Sequence, residues 1–198
     1  MAADLIIGPL ESEIQKHVLR ICKRIGLKGW PASGAHSGWL SRVMTAPAQM
    51  PGDESIMISV LNDASLNAFN TYAAGLGDHS GPDAMMKTAF RNLPWWLRTI
   101  WLPIEFDPPK NLASDESDPT FVGSSVCLLD ELAKIKEKSP IKIAATPPGY
   151  TDMRNDYRSW FFTSRQLSED DTIRWVWNAL CDGAQISIEK RCPMILAP

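Results

Sequence analysis

Residues 103–119 have the sequence PIEFDPPKNLASDESDP, whose composition differs from that of the regions on either side. The stretch contains four prolines and five acidic residues. Such a composition is typical of an exposed linker, because proline lacks the backbone N–H that helices and sheets use and charged groups favour water. The stretch therefore predicts a boundary between an N-terminal domain, residues 1–102, and a C-terminal domain, residues 120–198.

Upstream of this stretch, apolar residues recur mainly at helical spacing. A first helix is predicted to begin near Glu11, with its buried positions three or four residues apart at Ile14, Val18, Ile21 and Ile25. A later helix is predicted to follow the capping residues 62–65 and to end at Gly75 or Gly77. The apolar run 56–61 fits a buried helix or a buried strand, and residues 95–102 predict a short apolar helix.

Downstream, the patterns predict further helices over residues 121–138, 152–165 and 168–181. Residues 141–145 alternate in the manner of a short strand, and residues 184–190 could pair with it. The predicted fold class is mainly α. It consists of two small helical domains joined by the proline- and acid-rich linker, with the option of a short two-stranded β element in the second domain.

Composition limits the class of protein. Of the 198 residues, 44% are hydrophobic and 22% are charged, close to the average for folded globular domains. No charge-free apolar segment is long enough for a transmembrane helix, and Asp4 argues against a secretory signal, so membrane contact is predicted to be peripheral. The four cysteines form no C-x-x-C pair, which favours a reducing compartment.

Motifs for catalysis or metal binding are missing from the sequence. The three histidines, His17, His36 and His79, are never spaced to place two ligands on one helix face. No nucleophile elbow, P-loop, dinucleotide fingerprint or zinc-protease motif is present, and Asp170-Asp171 fits a helix start better than acid–base catalysis. We therefore predict a protein that is not an enzyme, with no catalytic residue, no metal and no cofactor.

Charge is concentrated near the N-terminus. Residues 1–104 hold nine Lys/Arg and eight Asp/Glu, a balance of +1, whereas residues 105–198 hold eleven and fifteen, a balance of −4. Five basic residues without an intervening acid occupy thirteen positions, and we call them the basic cluster: Lys16, Arg20, Lys23, Arg24 and Lys28. The cluster predicts contact with anionic lipid or phosphate, and the alternative is a solvated helix face.

Several segments of the first half follow a known order. Residues 6–14 are IIGPLESEI, and residues 69–78, FNTYAAGLGD, lead through Pro82 to residues 86–89, MKTA. Between them stand Gly38-Trp39-Leu40 and the apolar run 56–61. This order resembles that of the matrix proteins of the orthomyxoviruses, the influenza family, over about residues 5–100, half the chain. A divergent genus such as the isaviruses of fish is the suggested placement, because nothing beyond Pro103 matches.

The resemblance implies a structural function. A matrix protein of this family binds the inner face of the viral envelope, polymerises into a coat and links it to the ribonucleoprotein. Its implied location is the virion beneath the envelope and, in infected cells, the cytoplasm, the inner plasma membrane and the nucleus. The partners are further copies of the chain, an anionic membrane surface, the viral ribonucleoprotein and RNA. The basic cluster would then bind lipid.

Two family features are altered here. The basic segment associated with RNA and ribonucleoprotein binding is reduced to Lys87, Arg91 and Arg98, and Pro94-Trp95-Trp96 interrupts it. The family's Cys/His cluster is missing, so the resemblance implies no zinc.

Two further hypotheses concern a response to low pH and a surface of aromatic residues. His17 lies in the basic cluster and His79 follows Asp78, so both are predicted pH sensors that loosen the coat in acid. The alternative function is a soluble helical adaptor that binds a protein partner through an aromatic surface containing Trp95, Trp96 and Trp101. Large aromatic residues are more often part of a core.

Overall fold

The computed structural model of the chain describes residues 2–7, 56–77, 90–94, 99–114, 117–153, 167–190 and 192–197. Within these residues the strands are β1 (Ala2–Ile7), β2 (Ile56–Asn62), β3 (Thr99–Leu102), β4 (Lys110–Ser114), β5 (Ser117–Ser124) and β6 (Met194–Ala197). The helices are α1 (Asp63–Gly75), α2 (Ser125–Lys138), α3 (Tyr150–Met153) and α4 (Glu169–Lys190).

All of these strands form one mixed sheet, in the order β2-β1-β6-β3-β5-β4. Strands β3 and β5 are parallel, and the other neighbouring pairs are antiparallel. Strand β6, from the end of the chain, lies between β1 and β3. The prediction of a mainly α fold with two small helical domains is therefore wrong, because this sheet contains strands from both predicted halves.

Residues 103–119, the predicted linker, show why composition led to the wrong fold class. Of residues 103–119, β4 and the start of β5 belong to the sheet, although proline and acid are frequent there. Strand β4 is the last strand in the sheet order, where only one side of a strand needs partners. The register of the β4–β5 pair shifts between Leu112 and Ser114, and Pro119 lies between their partners Thr120 and Ser117, an irregularity of the kind that tolerates proline.

Other short apolar segments were assigned to the wrong element or left open. Residues 99–102, predicted as helix, form β3 with every side chain buried, and the ambiguous run 56–61 forms β2. Residues 141–145 form turns and not the predicted strand. Residues 184–190, predicted as the strand that pairs with it, continue helix α4. Because a run of four to seven apolar residues is compatible with either period, the choice depends on tertiary partners.

The starts of two helices, α1 and α4, were predicted correctly. Helix α1 begins after Asn62, whose side chain accepts a hydrogen bond from the Ser65 backbone N–H, and ends at Gly75. The start of α4 after Ser168 is also confirmed, since the Asp171 N–H donates to the Ser168 hydroxyl. Helix α2 begins after Ser124, later than predicted. The predicted first helix and most of helix 152–165 lie outside the described residues.

Helix α4 is the centre of the helical layer. It packs against α1 and α2 and contacts β1, β2 and β6. A Cβ atom at Gly183 would lie 2.5 Å from the Met194 sulfur, so the missing side chain permits the close approach of α4 and β6. The resulting core joins residues from β1, α1, β3, α2 and α4, among them Leu5, Phe69, Trp101, Leu132 and Leu180.

Candidate functional site

The structure describes few of the residues predicted to bind ligands. The basic cluster, Lys16, Arg20, Lys23, Arg24 and Lys28, lies outside the described residues, as do the predicted pH sensors His17 and His79. Of the predicted RNA-binding residues, Lys87 and Arg98 also lie outside them. Arg91 is described, and its side chain is exposed.

Arg91 belongs to a short segment, residues 90–94, that is attached to α2 by one carboxyl group. The Glu131 side chain accepts hydrogen bonds from the Arg91 N–H at 2.9 Å and from the Asn92 N–H at 2.8 Å. It also accepts one from the Asn92 side-chain amide at 2.9 Å. Glu131 is 6% exposed and Asn92 is 1% exposed, so these bonds are formed away from bulk water.

Asn92 connects this segment to the sheet as well. Its side-chain oxygen accepts a hydrogen bond from the Ser124 N–H at 2.9 Å, and its backbone carbonyl accepts one from the Trp101 indole N–H at 2.7 Å. Gly123 lies against the same group, since a Cβ atom there would be 2.9 Å from the Asn92 side-chain oxygen. We call Asn92, Trp101, Ser124 and Glu131 the Asn92 network.

The network lies where the parallel strands β3 and β5 end. In open α/β sheets built mostly of parallel strands, ligands usually bind at the carboxyl ends of the strands. Here the Ser124 hydroxyl donates to the Ile104 carbonyl at 2.6 Å, and the Cys127 thiol donates to the Phe106 carbonyl. Because these polar groups bond to other protein groups and are largely buried, their evident role is to hold neighbouring segments in place.

Glu131 is the titratable group of this network. Burial raises the pKa of its carboxyl group to about 7, and a smaller contribution from the charge of Asp107 acts in the same direction. The hydrogen bonds from Asn92 and Arg91 oppose this increase. A carboxyl group in this position changes its charge near neutral pH, whereas an exposed glutamate does so near pH 4.3.

A separate cavity of about 170 Å³ lies beside the start of α1 and α4. Trp175, Val60 and Leu167 provide its apolar walls. The Trp175 indole N–H donates to the Ser59 hydroxyl at 3.1 Å. The Tyr150 ring packs edge-on against the indole, with 5.1 Å between the two ring centroids, so the indole is held in place. The polar lining residues, Asn62, Ser65 and Thr172, use their side chains in helix-start hydrogen bonds. No catalytic pair is assembled by the residues described around this cavity.

The described residues contain a second concentration of positive charge. Four lysine side chains at and just beyond the carboxyl end of α2 are exposed: Lys134, Lys136, Lys138 and Lys142. The ion pairs found among the described residues join Arg174 to Asp170 and Asp171, and none involves these lysines. We call these four residues the α2 lysine surface.

The described ranges contain no group of three or more His, Cys, Asp or Glu side chains placed to hold a metal ion. No helix among them combines the length and hydropathy needed to cross a bilayer.

Neither Asn92 nor Glu131 was predicted from the sequence to have a specific role. A signal was present for Glu131, because it lies three residues after Leu128 and four before Ile135, on the apolar stripe of α2. An acidic residue on a buried stripe indicates a specific polar partner. Asn92 had no comparable signal, since its partners come from distant parts of the chain.

Trp101, proposed as part of an aromatic docking surface, is instead fully buried. Trp95 and Trp96 lie outside the described residues. No model of a known protein family, no curated protein and no solved structure matches this chain.

Proposed function

We propose that this protein is a non-catalytic, matrix-type protein that binds the anionic inner face of a membrane and assembles with further copies of itself. The observation that carries the proposal is the basic cluster, five Lys/Arg in thirteen positions with no acid between them. Each basic side chain near an anionic surface contributes about 1 kcal/mol, so five contribute on the order of 5 kcal/mol. That is enough for reversible binding, which an array of copies strengthens through avidity.

The described fold does not support the resemblance to the matrix-protein family. The resemblance implies helices over residues 5–100, whereas β1, β2 and β3 fall wholly or partly in this range. The proposal therefore rests on the charge pattern. Assembly into a coat, the link to a ribonucleoprotein through Lys87, Arg91 and Arg98, and a location beneath a viral envelope are parts of the same proposal that depend on the resemblance alone.

The α2 lysine surface provides an internal comparison. Its four lysines are exposed, but acids at Asp130 and Glu137 lie among or near them on α2. The basic cluster has no such acids. Because nearby acids reduce the local potential, we expect the basic cluster to contribute more to membrane binding than the α2 lysine surface.

Flotation with phosphatidylserine-containing liposomes tests the proposal. The first variant combines Lys16→Glu, Arg20→Glu, Lys23→Glu and Arg24→Glu. The comparison variant combines Lys134→Glu and Lys138→Glu, and a third sample uses wild-type protein with phosphatidylcholine liposomes. We expect wild-type protein to float with the anionic liposomes only, the first variant to stay unbound, and the comparison variant to keep most of its binding.

The outcomes separate a membrane-binding protein from the alternative, a soluble adaptor. Binding that persists in the first variant at about 0.15 M salt, where the Debye length is ~8 Å, would show that the cluster is only a solvated helix face. Wild-type protein that fails to bind anionic liposomes would exclude the membrane function. Electron microscopy of wild-type protein on these liposomes tests assembly separately, since a lattice is expected.

A further inference from the structure

At two places in the sequence a serine or threonine directly precedes a proline, and both lie in the described segment that follows α2. They are Ser139-Pro140 and Thr146-Pro147. Proline-directed protein kinases transfer phosphate to a hydroxyl in this position. A kinase can select proline there because proline has no backbone N–H, so an apolar pocket without an acceptor costs it nothing and rejects other residues.

The surroundings of the two prolines differ. Pro140 is exposed, and the third residue after its serine is Lys142, which is also exposed. Pro147 is buried, and the third residue after its threonine is Gly149. Of the two places, the first therefore combines a proline ring that a kinase pocket can reach with a cation that an acidic group of the kinase can bind.

The backbone at the first place is already extended. Ser139 follows the last residue of α2 and has φ −70° and ψ 126°, the conformation that a residue before proline prefers. A kinase binds the residues around the acceptor in an extended form. The preceding residues 136–138 are exposed in the last turn of α2, and the end of a helix opens at little cost in free energy.

Two hydrogen bonds hold the Ser139 hydroxyl. It donates its one proton to the Ile141 carbonyl at 2.9 Å. The Tyr72 phenol also bonds to Ser139 Oγ, and because the serine proton is already used, the phenol is the donor. This second bond joins the end of α2 to α1. A kinase has to withdraw the half-buried hydroxyl from both partners before it can react.

The product would carry a new charge among cations. A phosphoserine adds about two negative charges at neutral pH. At Ser139 these charges would stand next to Lys138 and three residues before Lys142, within the α2 lysine surface. The net charge of that surface would fall by about two. The lysines offset the unfavourable position of a phosphate at the carboxyl end of a helix.

We propose that Ser139 is a phosphorylation site for a proline-directed protein kinase, and that Tyr72 slows the reaction by holding the hydroxyl. In the transfer, Ser139 Oγ forms a bond to the γ-phosphorus of ATP. The bond between that phosphorus and the bridging oxygen breaks, and ADP leaves with the oxygen. The hydroxyl proton passes to the catalytic aspartate of the kinase. The proposal does not depend on membrane binding.

Incubation of the full-length protein with ATP and a purified cyclin-dependent kinase tests the site, with the phosphate located by mass spectrometry of proteolytic peptides. We expect one phosphate, on Ser139, and none in Ser139→Ala. Thr146→Ala removes the other hydroxyl that precedes proline and should leave phosphorylation unchanged. A synthetic peptide of residues 134–146 shows whether the kinase accepts the same sequence outside the folded protein.

Two variants test the structural argument. Lys142→Ala should lower kcat/KM for Ser139 about tenfold, because the kinase loses a charged contact. Tyr72→Phe keeps the ring and removes the phenol, so it should raise kcat/KM about threefold.

Three results would overturn the phosphorylation site: no phosphate on the folded protein, whether or not the peptide reacts; phosphate mainly on Thr146 or another residue; or a wild-type rate in Lys142→Ala. An unchanged rate in Tyr72→Phe would overturn the role of Tyr72.

Discussion

Glu131 accepts hydrogen bonds from two backbone amides and one side-chain amide while almost completely buried. The pKa of its carboxyl group is raised from 4.5 to about 7, chiefly by burial. At intermediate pH the folded protein therefore binds a proton that the unfolded chain has released. Because the pKa of Glu131 is higher in the folded protein than in the unfolded chain, its stabilising contribution to the free energy of unfolding is largest at low pH. That contribution is lost as the pH rises from 4.5 to about 7.

The first prediction concerns this pH dependence. The contribution of Glu131 to the free energy of unfolding should fall by roughly 2–3 kcal/mol between about pH 5 and pH 8. Glu131→Gln should remove that slope, while the matched variant Glu137→Gln, at an exposed position on the same helix, should keep it. Urea unfolding at several pH values measures both. An unchanged slope in Glu131→Gln would show that the carboxyl group titrates near its ordinary pKa.

The second prediction uses two glycines with different surroundings. An alanine Cβ at Gly123 would lie 2.9 Å from the Asn92 side-chain oxygen and 3.0 Å from the Trp101 ring. Gly123→Ala should therefore lower the free energy of unfolding by about 1–3 kcal/mol through overpacking. Gly75→Ala, at the end of α1 with nothing within 4 Å, should be neutral or stabilising by up to about 1 kcal/mol. Thermal unfolding compares them, and equal effects would contradict the packing argument.

At the scale of secondary structure, α1 shows how a local sequence signal acts. The Asn62 side chain accepts the Ser65 N–H at 2.8 Å, and the Ser65 hydroxyl accepts the Asn62 N–H at 3.1 Å. This reciprocal pair satisfies backbone donors that the first turn of a helix leaves without intrahelical partners. Both partners are within four residues, so no other part of the chain is needed to form the pair.

The third prediction tests this cap. Asn62→Ala should lower the free energy of unfolding by about 1 kcal/mol, because the Ser65 N–H loses its acceptor. Asn67→Ala, at an exposed position inside α1, is the matched control and should have little effect or stabilise slightly. Chemical denaturation of both variants provides the comparison. Equal losses would mean that the cap contributes nothing specific.

At the scale of the whole molecule, the position of β6 is the main finding. It pairs with β1 on one side and β3 on the other, through Leu5↔Leu196 and Thr99↔Leu196 among other positions. Among the described strands of residues 1–102, the β1–β2 pair is therefore joined to β3 through a strand from residues 194–197. A β-strand removed from the interior of a sheet leaves unpaired backbone groups on both neighbours.

The fourth prediction follows from this topology. A fragment of residues 1–102 should show no cooperative thermal transition by circular dichroism, and the same is expected of the chain shortened after Arg191. Full-length protein is the positive control. Co-expression of fragments 1–102 and 103–198 should restore a cooperative transition, because β6 can then enter the sheet. Independent folding of fragment 1–102 would instead support the domain boundary predicted from the sequence.

A feature could be predicted from the sequence when its interacting residues lie close together in the chain. The starts of α1 and α4 were predicted because Asn62, Ser65 and Ser168 act within their own turns. Strand β3 was missed because its four residues, three of them apolar, are compatible with a short helix and acquire extended structure in pairing with β5 and β6. The Asn92 network could not be predicted, since the Asn92–Glu131 contact spans 39 residues.

The sequence by itself determined the starts of α1 and α4, the uneven charge and the basic cluster, because capping bonds are local and charges are properties of single residues. Only the tertiary structure decided that the prolines and acids of residues 103–119 accompany strands, and that an acidic residue on α2 binds the backbone of Arg91 and Asn92. It also decided that the final strand joins β1 to β3. The Glu131 contact and the position of the final strand depend on hydrogen bonds between residues far apart in the chain, which composition and periodicity do not encode.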